Sequence, residues 1–223
     1  FQVARSCLPL DFFSLDGGLV NHGELSGIVL GVDPSGERFH RLRIFDGNLG
    51  LTSAMLRLPA RSSKSFVRPD LFDDLECSLS VSRSGASLPF VSEHRLLGTF
   101  REIAKNPMAF LAASEVARFY LSNGSHLLDP KGRLSLLRSA LDSFRRATSP
   151  KVVLLKVYFC FARDEGHPIR ESWLADLPAD LARQSRQCLF HPVDGTGSCS
   201  ARIDELLDEI RKWINMHTEL RAA

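Results

Sequence analysis

Cys188-x-x-His191, with His167 before it and Cys199 after it, offers four nominal zinc ligands. Zinc sites hold their ligands in two tight pairs, and only one pair is tight here, so an unliganded loop and no metal are expected. Asp70, Asp73, Asp74 and Glu76 crowd one short stretch. Clustered carboxylates can hold a divalent cation or share a proton, but the simpler reading is a solvated loop and strand edge. Gly195-Thr196-Gly197-Ser198 could offer N–H groups to an anion, yet it lacks a preceding strand and a third glycine, and reads as a loop ending in a helix cap. No G-x-x-x-x-G-K-[ST], G-x-S-x-G or H-E-x-x-H stretch occurs. His22, His40 and His94 are isolated in the sequence. The expectation is therefore a chain that is not an enzyme and needs no cofactor.

The basic residues are more informative. Bulk charge says little: 28 Lys+Arg stand against 26 Asp+Glu in 223 residues, a formal net charge of +2. Their placement says more. From Gly47 to Pro69 there are Arg57, Arg61, Lys64 and Arg68 and no acid, among serines and small residues that leave room for a phosphate backbone. Arg41 and Arg43 flank Leu42, and strand alternation sends both away from the side of Leu42 and Ile44. From Lys131 to Lys151 there are six basic residues and a single acid, Asp142. Each stretch alone reads as ordinary solvated surface; together they describe a basic path over both halves of the chain. Phe39, Phe45 and Phe66 are aromatic candidates for stacking bases, each read first as core.

The elements that position these residues change character near residue 100. Before it, Ile28 to Leu30, Phe39 to Phe45, Leu49 to Leu58, Leu75 to Val81 and Leu88 to Leu97 are candidate strands, separated by turn clusters such as Asp33-Pro34-Ser35-Gly36 and Asp46-Gly47-Asn48. Leu8 to Leu15 is a further candidate. Short strands at this spacing, with no helix between them, suit a small barrel. After Gly98, Asn106-Pro107, Asp129-Pro130 and Ser149-Pro150 each place a capping residue before a proline that lacks the N–H a helix start leaves unpaired. Gly124 stands where the first helix wants a left-handed C-terminal residue. The third helix is apolar all round and belongs in the centre. Ser200 is expected to cap a last helix whose stripe runs through Ile203, Leu206, Leu207, Ile210, Trp213, Ile214 and His217. The fold class expected is α+β: an OB-type barrel over residues 1–98 and a helical domain over 99–223. The five cysteines form no C-x-x-C pair and lie mostly among apolar residues, so reduced thiols in a cytoplasmic protein are expected.

The order of these pieces resembles the RecO family of recombination mediators. The resemblance runs through Gly27-Ile28-Val29-Leu30-Gly31-Val32-Asp33-Pro34-Ser35-Gly36-Glu37-Arg38 and Arg41-Leu42-Arg43-Ile44-Phe45-Asp46. It continues in Leu56-Arg57-Leu58-Pro59-Ala60-Arg61-Ser62-Ser63-Lys64-Ser65, in Leu71 to Val81 and in Ser84-Gly85. Phe110 to Tyr120, Leu154 to Pro168 with its Gly166-His167-Pro168 turn, and Ile210 to Leu220 with His217 are similar to the helical half. Many relatives carry a four-cysteine zinc site after that turn; Ile169 to Ala175 holds no cysteine, as in zinc-free members. The resemblance implies a DNA-binding protein of DNA repair and recombination after DNA damage. Such a protein binds single- and double-stranded DNA, anneals strands and helps load recombinase. It implies a RecR-like partner, the tail of single-strand-binding protein as another, and a cytoplasmic, nucleoid-associated location without membrane contact. Arg41, Arg43, Arg57, Arg61, Lys64 and Arg68 are the candidate phosphate contacts. The competing reading is a protein-interaction module, a barrel with a helical dock that binds no DNA.

Overall fold

Apolar residues alternating with polar ones build five strands: β1 (His22–Pro34), β2 (Phe39–Asp46), β3 (Gly50–Arg57), β4 (Asp74–Ser80) and β5 (Phe90–Gly98). In the computed structural model the described residues are 22–60, 66–80, 88–146, 149–193 and 202–222. The strands close into a barrel in the order β1-β2-β3-β5-β4. Neighbours run antiparallel except β3 and β5, which meet in parallel through two residue pairs, Met55 with Phe90 and Leu56 with Val91. The expected Leu8 to Leu15 strand lies outside the described residues. A closed five-strand barrel followed by a helical region is the OB-type α+β architecture expected.

Leu42 and Ile44 of β2 and Ala54 and Leu56 of β3 fill the barrel with Leu25, Val29 and Leu75. The run Ile28-Val29-Leu30 is apolar without alternation because β1 is buried on both faces: Val29 faces the barrel core, while Ile28 and Leu30 join the helical core. The turn after β2 hangs on Asp46, which is 1% exposed. Its Oδ1 accepts from the backbone of Asn48 (2.7 Å) and Leu49 (2.8 Å), and its Oδ2 accepts from Ser26 N–H (2.8 Å).

A 3₁₀ turn (Arg101–Lys105) leads into α1 (Pro107–Asn123), α2 (Pro130–Arg146), α3 (Pro150–Asp164), α4 (Trp173–Asp176), α5 (Ala179–Phe190) and α6 (Ile203–His217). Asn106 caps α1 by accepting from Met108 and Ala109 N–H, and Asp129 accepts from Gly132 N–H. Ser149 makes no side-chain cap bond, so there only the proline marks the start. The expected Ser200 cap of α6 lies outside the described residues. Gly124 is not left-handed; its φ of −75° is ordinary helix. The glycine is needed for close approach: an added Cβ would stand 2.5 Å from Tyr120 O and 3.1 Å from the Phe45 ring. Its carbonyl accepts from Leu51 N–H at 2.9 Å, which ties α1 to the barrel.

α3 is the central helix, as its composition requires, with ten buried residues. Phe119, Tyr120, Tyr158 and Phe161 stack edge to face around it, and Phe45 of β2 joins at 4.9 Å from Tyr120. Barrel residues Ile28, Leu30, Phe45 and Phe72 thus share one core with the helices. On α6 the expected stripe is buried except for His217, which is exposed and lies against the Trp213 ring. Cys77 and Cys160 are free thiols, but Cys188 is disulfide-bonded, which overturns the reduced-thiol expectation at that position. Among the described residues no helix is long and apolar enough to cross a membrane.

Candidate nucleic-acid interface

Alternation along β2 turns His40, Leu42 and Ile44 inward and Phe39, Arg41 and Arg43 outward; along β3 it turns Ala54 and Leu56 inward and Ser53, Met55 and Arg57 outward. The register places Phe39 opposite Arg57, Arg41 opposite Met55 and Arg43 opposite Ser53. Three of the six candidate basic residues, all arginines, therefore share one outer face. Phe90 of β5 extends it, with its ring 6.0 Å from Phe39 at 65°. Phe39 is half-buried on this outer surface rather than in the core; Phe45 is core and Phe66 packs at the core's margin.

The three arginines differ in what they already hold. Asp33 at the end of β1 takes both Arg41 (3.3 Å) and Arg43 (3.2 Å). The Arg43 guanidinium lies over Gly31, where a Cβ would come within 2.7 Å of it. One carboxylate shared by two cations leaves this end of the face with a positive excess. Arg57 is exposed and has no ion pair among the described residues. Arg68 is drawn elsewhere: its Nη2 stands 3.3 Å from both ring nitrogens of His40 and donates to whichever is unprotonated. Burial, then the Arg68 charge, holds the His40 pKa below the ordinary imidazole value. Arg61 and Lys64 lie outside the described residues.

The second basic stretch is not a line of free cations. Arg133 is buried and donates to Asp164 (2.9 Å) and to the Phe161 carbonyl (3.4 Å). Arg138 reaches Asp74 through two 2.8 Å bonds. Arg145 and Arg146 both hold Asp142, and Lys151 holds Asp204. Of the six, only Lys131 is exposed without an ion pair among the described residues. For Arg133, Arg138 and Lys151 the neutralising carboxylate is remote in sequence, which a count along the chain does not see.

The acidic cluster is likewise corrected. Asp73 is fully buried, not solvated; it accepts from Asp70 N–H (2.8 Å) and from Arg101 Nε (3.2 Å) and Nη2 (2.6 Å). With Arg138 on Asp74, these pairs clamp the barrel to the helical region. Glu76 pairs on the surface with Arg95. No group of side chains suited to a metal ion occurs among the described residues, Cys188 and His191 included.

Where β3 and β5 part beyond Leu56 and Val91, a cleft of about 480 Å³ opens, walled by Arg38, Arg57, Leu58, Phe66, Ser92 and His94. Sequence reading missed Arg38 and His94 as a pair, because only the closing of the barrel brings them together. No model of a known protein family matches this chain, and no curated protein matches it.

Proposed function

We propose that this chain is a non-catalytic recombination mediator of the RecO kind, acting in DNA repair by binding single- and double-stranded DNA, annealing strands and helping to load recombinase. The observation that carries the reading is the β2–β3 face, with Arg41, Arg43 and Arg57 beside the rings of Phe39 and Phe90. On OB-type barrels that pair of strands is the surface that meets oligonucleotides. The mechanism is physical: guanidinium groups displace counterions from phosphates, and exposed ring surface accepts unpaired bases. Arg61, Lys64 and Arg68 belong to the same proposal on sequence alone, and Arg68 must leave His40 to reach a phosphate. Under this reading the protein partners are a RecR-like protein and the tail of single-strand-binding protein, in the cytoplasm at the nucleoid.

Fluorescence anisotropy of single-stranded and duplex oligonucleotides across a salt series tests the proposal. Affinity should fall steeply with salt, and Arg57→Ala should lower the slope of log affinity against log salt by about one. Arg41→Ala or Arg43→Ala should each do less, because both guanidiniums already share the Asp33 carboxylate before any phosphate arrives. Absent or salt-insensitive binding would defeat the proposal and favour the second reading, a protein-interaction module. The engagement of Arg133, Arg138, Arg145, Arg146 and Lys151 with carboxylates is the observation that favours that alternative.

A further inference from the structure

We infer that the cleft between β3 and β5 is a nucleotide subsite that takes one unstacked base with its phosphate; the inference rests on the DNA-binding reading above and names its ligand. The cleft follows from how the barrel closes. β3 and β5 share two residue pairs and then diverge. An irregularity in the β4–β5 ladder, where Ser78 faces Glu93 but Leu79 faces Val91, inserts Ser92 and turns β5 away from β3. The gap, about 480 Å³, falls within the ~300–1,000 Å³ range of small-ligand sites.

Its wall is a fixed aromatic surface. The Phe66 ring sits 5.3 Å from the His94 ring at 77°. His94 Nε2–H donates to Val67 O at 2.6 Å, which sets both the ring's tautomer and its orientation. Phe66 packs against the barrel core from below, so the rings are held before any ligand arrives. Its rim is cationic: Arg38 and Arg57 are exposed, and neither has an ion pair among the described residues. The far side of His94 is of opposite character, a second cleft of about 340 Å³ lined by Glu24, Glu76 and Glu93, where Arg95 is paired to Glu76. A polyanion is admitted from the arginine side and turned back at the glutamates.

A ring wall beneath two free guanidiniums fits a flat heterocycle carrying a phosphate. In a single strand such a base turns out of its stack at small cost; in a duplex it is held by pairing. The experiment compares a thymine oligonucleotide with an abasic strand of the same phosphate number, by anisotropy across salt, for the wild type, Phe66→Leu and Ala60→Trp. Ala60 lines the cleft and is exposed, so its substitution fills the space without disturbing the core. The wild type should bind the base-bearing strand roughly tenfold tighter. Both variants should lose that preference and keep their salt slope. Equal affinity for the two strands, or a preference that survives both substitutions, overturns the subsite while steep salt dependence leaves DNA binding standing. No salt-dependent binding by any strand overturns both.

Discussion

At the residue scale, neighbours decide whether a charged side chain is available, and sequence supplies only some of the neighbours. Arg41, Arg43 and Arg57 lie on one face as strand alternation implies, yet only Arg57 is without a carboxylate. Arg68 illustrates the opposite outcome. It sits beside a histidine that faces the barrel interior, and the pair has a pH consequence. The His40 pKa is lowered by burial and by Arg68, so as pH falls through about 6.5 the unfolded chain takes up its proton first. The pair thus costs nothing above that pH and destabilises the fold progressively below it. Arg68→Met should raise the His40 titration midpoint part of the way back, as read by NMR, and lessen the acid-side fall in urea midpoint. An unmoved or lower midpoint would show that Arg68 is not felt by the ring.

At the scale of elements, the Asp70–Glu76 stretch looks uniform in sequence and divides in the fold. Asp73 is sealed between Arg101 and the Asp70 backbone, whereas Glu76 meets Arg95 with both side chains largely in water. Asp73→Ala should cost about 2–3 kcal/mol, because it strands buried donors beside a half-exposed guanidinium. Glu76→Ala should cost no more than about 0.5 kcal/mol. Chemical denaturation of both variants checks the contrast; equal losses would mean the joint does not depend on burial. The strands and α1 to α3 were legible because apolar alternation, asparagine or aspartate caps and proline starts are local signals. α4 and α5 were not. Pro168 and Pro178 bracket a helix of four residues, and α5 buries Ala182, Ser185 and Cys188 beside Leu181, side chains that a search for apolar periodicity weighs lightly. The cleft was illegible for a different reason, since Arg38, Phe66 and His94 belong to segments that meet only when the barrel closes.

At the scale of the whole molecule, the boundary near residue 98 marks a change of secondary structure but not of core. Ile28, Leu30, Phe45 and Phe72 leave the barrel wall to pack among helices, and Asp73 and Asp74 bind arginines of the helical region. The two halves should therefore unfold together. Urea denaturation followed by far-ultraviolet circular dichroism and by tryptophan emission should give coincident transitions, both tryptophans being helical. Residues 1–98 expressed alone should bind a hydrophobic dye, since those four side chains would face water. Two separated transitions, or a dye-silent fragment, would establish independent domains.

The parallel seam has a consequence for how the chain comes together. β1, β2 and β3 are successive hairpin partners and can assemble as soon as they exist, whereas Met55 and Leu56 must wait for Phe90 and Val91. Loop-closure entropy makes such distant pairing late. Both closing seams of the barrel, β1 with β4 and β3 with β5, join segments far apart in the chain, and the second of them is held by only two residue pairs, so it is the seam that a small loss of strand order would open first.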